Sequence, residues 1–293
     1  MTTIGMIGIG MMGHGIASNL LKHGHSLTLL EHPGNQPLDA LLAAGALTCN
    51  TPQALAQQSQ VVLLCVTGSP QVEAVLLGED GVLKGMRPGT IVIDCSTAVP
   101  ASTEKVAALV IAQGGQFLDS AMTRTPKEAA EGRLNLLVGG DVALFESCKP
   151  LLSCFAENIV HTGPIGSGHR MKLLHNFVSL GSVALLAEAA ACAQLSGVSA
   201  QTFVDVLAMG GGWGAALERL KPAMTSGDTS GLRFSMGNAL KDLTYYNQMA
   251  LDAHADHTVA QAVKSTLQAA CLEGDPQALV PELIGLLVKR QGT

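Results

Sequence analysis

The chain has 293 residues, 47% of them hydrophobic but only 3% aromatic, and a formal net charge of −6. That length suits two domains, and the apolar content is ample for cores built from Ala, Leu, Val, Ile and Met. The 17 Lys and Arg are spread along the sequence without a cluster, which argues against nucleic acid as a partner.

In chain order, Ile4–Ile9 reads as a short strand and Met12–His23 as a helix closed by Gly24. Ser26–Leu30 is the next strand. Val61–Val66, Thr90–Asp94, Gln116–Asp119 and Leu134–Val138 follow as further apolar runs. Strands alternating with helical stretches at this spacing predict an α/β domain with a doubly wound parallel sheet. Near-continuous apolar strands fit burial on both faces. After His161 the chain is punctuated by Gly163, Pro164, Gly166 and Gly168. Met171–Leu195 then reads as one long helix, and no convincing strand follows. The expected organisation is an α/β domain over 1–163 and an all-α domain over 164–293, the second serving substrate binding and oligomerisation.

The seven cysteines, Cys49, Cys65, Cys95, Cys148, Cys154, Cys192 and Cys271, form no CxxC pair. They suggest neither a disulfide framework nor a zinc site, and point to reduced thiols in a cytoplasmic protein. The apolar start, Met1 to Met12, lacks the basic segment of a signal peptide. Val183–Leu195, interrupted by Glu188 and Gln194, is too short to span a bilayer, so no membrane partner is expected. Nine histidines show no specific metal-ligand spacing, and no metal is expected. The absence of a Gly-x-Ser-x-Gly elbow removes support for serine hydrolysis.

Gly8-Ile9-Gly10-Met11-Met12-Gly13 is a GxGxxG run directly after the first strand and opening the first helix, the context of a Rossmann dinucleotide site. Gly8 permits the tight turn, Gly10 lets a pyrophosphate approach the backbone, and Gly13 lets helix and strand pack closely. Free N–H groups and the positive dipole end of the helix favour the anion. Glu31, at the end of the second strand, stands where a carboxylate can bind both adenosine ribose hydroxyls and repel a 2′-phosphate. This favours NAD; an imidazolium at His32 is the argument for NADP. The plainer alternatives are a structural glycine turn and an ordinary surface Glu31.

Four segments together resemble the β-hydroxyacid dehydrogenase family, which includes 3-hydroxyisobutyrate dehydrogenases. They are Gly8–Gly13 with Ile16-Ala17-Ser18-Asn19-Leu20, Asp94-Cys95-Ser96-Thr97 with Pro100, Asp119 through Ala129 with Val138-Gly139-Gly140, and Gly163 through Asn176. Phe234…Lys241-Asp242 is similar too. The resemblance implies nicotinamide-dependent hydride transfer to and from small anionic semialdehydes and hydroxy acids, with Lys172 as the catalytic lysine. Lys172 and Asn176, at i and i+4, share one helix face. By itself a helix lysine reads as solvated; it is the motif that makes Lys172 a general acid and base. Asn176 is expected to support it.

The same resemblance implies Gly8, Ile9, Gly10, Met11, Met12, Gly13, Glu31, Val66, Thr97 and Lys241 as cofactor residues. Substrate falls to Thr123, Arg124, Thr125, His175 and Ser179. Ser-Gly-Gly is the family's usual sequence at 123–125. Arginine at 124 resembles the sulfolactaldehyde reductase branch, where it grips a sulfonate, and asparagine is usual where His175 stands. The family's habit implies a homodimer or homotetramer. An imine reductase-like enzyme and a non-catalytic dinucleotide-binding module are the competing readings; Lys172 weighs against both.

Overall fold

The computed structural model describes residues 2–290, so Met1, where the apolar start begins, lies outside the described residues. Eight strands form one sheet: β1 (Thr3–Ile7), β2 (Ser26–Leu30), β3 (Leu47–Cys49), β4 (Val61–Leu64), β5 (Ile91–Asp94), β6 (Gln116–Thr123), β7 (Leu134–Gly139) and β8 (Ala156–Gly163). Their order is β3-β2-β1-β4-β5-β6-β7-β8. The chain divides into two compact units, the first ending at Lys172 and the second beginning at Leu173. The expected boundary at 163 is the end of β8; the division between units falls later, inside the Ser167–Leu195 helix.

Period-two side chains feed two cores in the first unit. Ile4, Met6, Val61 and Leu63 pack with Ile16, Ala17 and Leu20 of the Met11–Lys22 helix. Ile7, Val62 and Leu64 pack with Leu55, Val106 and Val110. Burial on both faces is why β1 and β4 appear in the sequence as unbroken apolar runs.

The sheet is parallel except at one pair, β6 with β7, which is antiparallel. The connection there explains it. Only Arg124 to Arg133 separate the two strands, too short for the crossover that a parallel pair requires. The expected doubly wound parallel sheet therefore carries one reversal.

In the second unit, Leu180, Val183, Ala184 and Ala187 of the long helix pack with Leu220, Met236, Ala239, Leu243, Leu267 and Leu283. No strand follows β8 among the described residues. The Ser167–Leu195 helix has 29 residues and a mean hydropathy of 1.5 in its most apolar window, enough by length and composition to cross a membrane. Counting only Val183–Leu195 understated it. One face of this helix is nevertheless built into the second unit's core.

Candidate active site

Parallel strands put the carboxyl ends of β1, β2, β4 and β5 on one edge, and the chain winds outward in opposite directions from β1 and β4. Ligands of open α/β sheets bind at such a switch point. The Gly8–Gly13 turn lies there. Gly8 has φ +95°, and a Cβ on it would meet the Cys65 carbonyl oxygen at 2.3 Å. A Cβ on Gly13 would lie 2.0 Å from the Gly8 carbonyl oxygen, whereas one on Gly10 would meet nothing within 4 Å. The turn is thus tight on two sides and open on the third. Gly10 caps the Met11–Lys22 helix with no side chain bonded to the first turn, which leaves its N–H groups for an anion.

Ile9 is used differently. Its N–H donates to Asn35 Oδ1 at 3.2 Å, its carbonyl accepts from Gln36 N–H at 2.7 Å, and its side chain is buried. The Asn35 amide also donates to the Leu30 carbonyl at 2.9 Å. Ile9 therefore pins the turn to the segment after β2. Met11 is exposed and Met12 half-buried. The Val66 N–H donates to Ser96 Oγ at 3.0 Å, joining the ends of β4 and β5, and Thr97 follows, half-buried.

Beyond β2, Glu31, His32, Pro33, Asn35, Gln36, Leu38 and Asn50 line a cavity of about 560 Å³. It holds one carboxylate and no Lys or Arg. His32 Nδ1 accepts the Gly34 N–H at 3.0 Å. The site as built suits a ribose diol better than a 2′-phosphate. Glu31→Ala is accordingly expected to lower the kcat/KM ratio of NADH to NADPH by about tenfold, a single charge contact being worth roughly 1–2 kcal/mol. A wild-type enzyme that prefers NADPH would refute the assignment.

The 123–125 turn is fastened from two directions. Asn19, buried in the first helix, donates its amide to the carbonyls of Ala129 and Ala130 at 2.9 and 3.2 Å. Thr125 caps the Pro126–Ala130 helix; its N–H donates to Glu128 Oε2 at 3.0 Å and its hydroxyl also donates to that carboxylate. The Thr125 hydroxyl is therefore committed to the cap. Thr123 Oγ1 accepts from the Asn135 amide at 3.0 Å, and its hydroxyl hydrogen stays available to a substrate oxygen. Arg124 has φ +81°, the left-handed region where glycine is at ease and other residues are strained. Its guanidinium donates to the Arg133 carbonyl and pairs with Glu157. Both partners are solvent-accessible, so an incoming anion competes with a weak pair.

The lysine helix begins on the same carboxyl edge. One rung of the sheet runs through Ile7, Leu64, Asp94, Asp119, Gly139 and Gly163. From Gly163 the chain turns back over β7 and β6. Gly168 lies so close to the sheet that a Cβ would meet the Leu137 carbonyl oxygen at 2.3 Å. Asp119, fully buried, accepts the N–H of Gly166 at 2.7 Å and of His169 at 2.9 Å. A carboxylate at a helix N-terminus also meets the positive dipole end. Lys172, half-buried, comes three residues after His169.

Within the second unit, Asn176 donates its amide to Asp242 Oδ2 at 2.6 Å. Its Oδ1 lies 3.0 Å from His175 Nδ1, and Lys241 Nζ lies 3.1 Å from Asp242 Oδ1. Asp242, 2% exposed, thus gathers Asn176 and Lys241 around one carboxylate. Sequence reasoning noted the Lys241-Asp242 pair but gave Asp242 no role. It gave none to Asn35 or Asp119 either. Ser179, one turn after Asn176, is half-buried. Among the described residues no group of three His, Cys, Asp or Glu side chains is placed to hold a metal.

A family model for the NAD binding domain of 6-phosphogluconate dehydrogenase matches residues 3–163, and one for the NAD-binding domain of NADP-dependent 3-hydroxyisobutyrate dehydrogenase matches 166–287. The chain is 32% identical over 207 residues to the cytokine-like nuclear factor N-PAC of Xenopus tropicalis; the match covers 71% of this chain but 39% of that longer protein. It is 34% identical over 222 residues to an NAD-dependent L-serine dehydrogenase of Pseudomonas aeruginosa, covering 76% and 74% of the two chains. A solved structure of Mycobacterium tuberculosis 3-hydroxyisobutyrate dehydrogenase with L-serine superposes with TM-score 0.86 at 26% identity, over 98% of this chain and 99% of that one.

Proposed function

Since the chain belongs to the β-hydroxyacid dehydrogenase family, we propose that it interconverts a small anionic semialdehyde and its hydroxy acid, with NAD preferred over NADP and Lys172 as general acid and base. The observation that carries this reading is the first turn of the lysine helix, fixed by Asp119 on the edge where the Gly8–Gly13 turn opens.

A bound nicotinamide dinucleotide supplies hydride in reduction and takes it up in oxidation. The N–H groups of Gly10, Met11 and Met12 and the open face of Gly10 fit its pyrophosphate, and Glu31 fits its adenosine ribose. Val66 and Thr97 belong to the loops after β4 and β5. In reduction, the Lys172 ammonium gives a proton to the carbonyl oxygen; in oxidation, the neutral amine takes the hydroxyl proton. Asn176, held by Asp242 through its amide and set against His175 Nδ1 through its Oδ1, supports the lysine by ordering this face of the helix. Thr123 and the Arg124 fork hold the anionic end of the substrate. Thr125 acts by building the turn rather than through its hydroxyl. His175 and Ser179 are the second unit's proposed substrate contacts and Lys241 its proposed cofactor contact.

A planar fork of donors suits carboxylate, sulfonate and phosphonate alike, and three-oxygen heads use it best. Arg124→Gly should therefore raise KM for the best anionic substrate at least tenfold, about 1.4 kcal/mol, and shift ranking toward small carboxylates. The melting temperature should not fall, because glycine relieves roughly 1 kcal/mol of left-handed strain while the lost exposed pair was worth no more than that. Unchanged KM and ranking would return position 124 to a purely structural part.

The deciding experiment is a panel of short carboxylate, sulfonate and phosphonate semialdehydes assayed with NADH and NADPH. Cofactor binding without turnover of any of them would favour a binding module instead. We further propose a cytoplasmic homodimer or homotetramer that uses neither membrane nor nucleic acid. Leu174, Val178 and Leu185, spaced by four and seven along the long helix and 43%, 67% and 72% exposed, form the apolar stripe that favours self-association.

A further inference from the structure

The first turn of the lysine helix is tied to the sheet by a second set of groups that the reaction does not use. His169 and Asp94 are both fully buried. The Thr103 hydroxyl oxygen lies 2.7 Å from His169 Nδ1 and 3.2 Å from the Val99 carbonyl oxygen. That leaves Nε2 facing Asp94 Oδ2 at 4.0 Å, and neither atom has a hydrogen-bond partner. Burial raises the Asp94 carboxyl above the usual range, against the opposing pull of His169 and Ser96. Nε2 and Oδ2 face each other within ion-pair reach, without a hydrogen bond between them.

Asp94 continues the chain on its other side. Its Oδ1 accepts the Ser96 N–H at 2.9 Å, and Ser96 Oγ accepts the Val66 N–H at 3.0 Å. Buried polar groups therefore run from Thr103 to His169, across a 4.0 Å contact to Asp94, and on through Ser96 to Val66. His169 is three residues from Lys172; the far end is in the loops proposed to take the cofactor. Asp119, already bonded to two N–H groups, the half-buried Cys65 and the buried Cys95 also lie around it. Cys65, pushed up to about 12 by burial, stays a neutral thiol.

We propose that His169 and Asp94 are positioning residues that hold the lysine turn in register with the Val66 and Ser96–Thr97 loops, so that proton donor and cofactor are aligned by one buried chain. The inference rests on Lys172 being the acid/base. Purely local packing of His169 would steady its own turn and nothing else.

The test uses the full chain and begins with hydrogen exchange, which needs no turnover. In His169→Leu, exchange should quicken about tenfold both in 165–172 and in the loops at 66–68 and 95–98. Faster exchange confined to 165–172 overturns the coupling. On the best semialdehyde, kcat should fall about tenfold or more with KM within about threefold. His169→Gln, whose amide can reach Asp94, should recover most of that loss. Wild-type kcat in His169→Leu, beside an inactive Lys172→Ala, overturns the positioning role. An active Lys172→Ala instead overturns the acid/base reading, and exchange then decides whether the chain is coupled. Should His169→Leu not fold, Thr103→Val removes only the partner of Nδ1. It should show the same two-sided pattern in milder form, and wild-type exchange there overturns the proposal.

Discussion

Lys172→Ala should lose between about 10² and 10⁴ of turnover, the range for a missing general acid, while binding NADH almost as wild type does. The separation follows from where the parts sit. The pyrophosphate turn is built by β1 and the Met11–Lys22 helix, and the ribose cavity by the segment after β2. Neither includes Lys172. Lys172→Arg is the sharper variant. It keeps the positive charge but does not give up its proton near neutral pH, so oxidation of the hydroxy acid should suffer nearly as much as with alanine. Fluorescence titration of NADH and single-turnover kinetics would separate binding from chemistry. An alanine variant with more than about half the wild-type single-turnover rate would exclude the role.

Asp119→Ala should be the most destabilising single change in the site region. The carboxylate is buried and takes two backbone N–H groups that otherwise have no partner in that turn. Removing it strands both, at roughly 1–3 kcal/mol each, and removes an anion from the positive end of the helix. A total of about 3 kcal/mol corresponds to a fall in Tm of about 6–12 °C for a domain of this size. Asp119→Asn keeps one acceptor and should lose about half as much. Calorimetry on both variants tests the ordering. An alanine variant that melts within about 2 °C of wild type would mean the turn is held by its packing instead.

Much of the fold was legible because two-sided burial writes itself into the sequence. Ser26–Leu30 has the predicted bounds, and β1, β4 and β5 differ from them only at their ends. The two strands with no such signal are at the sheet's edges. β3 is three residues long and mostly half-exposed, and β8 is Ala-Glu-Asn-Ile-Val-His-Thr-Gly with outward polar side chains. An edge strand is covered on fewer sides, so its sequence is freer. The reversal at β6–β7 was hidden for a different reason: it is set by the length of a connection, not by the residues of either strand. In the site, glycines at fixed offsets showed the cofactor turn. Asp119, His169, Asp94 and Asp242 were obscure because their partners lie far off in sequence: Asp119 reaches Gly166 and His169, and Asp242 reaches Asn176. No local period records such a pairing.

The rung that joins Ile7 to Gly163 bears on how the protein is made. β1, β2 and β4, with the Gly8–Gly13 turn between them, are complete once Leu64 has been synthesised. The lysine turn has nothing to settle on until β6, β7 and β8 have paired, and its anchors on Asp119 join residues 47 and 50 positions apart. Contacts of long sequence separation form late and slowly, and domains fold in the order in which the ribosome delivers them. A nascent chain should therefore acquire its nucleotide cradle well before its proposed proton donor. Ribosome-stalled chains ending soon after β6 would be the place to look for a species that grips the cofactor and cannot yet use it.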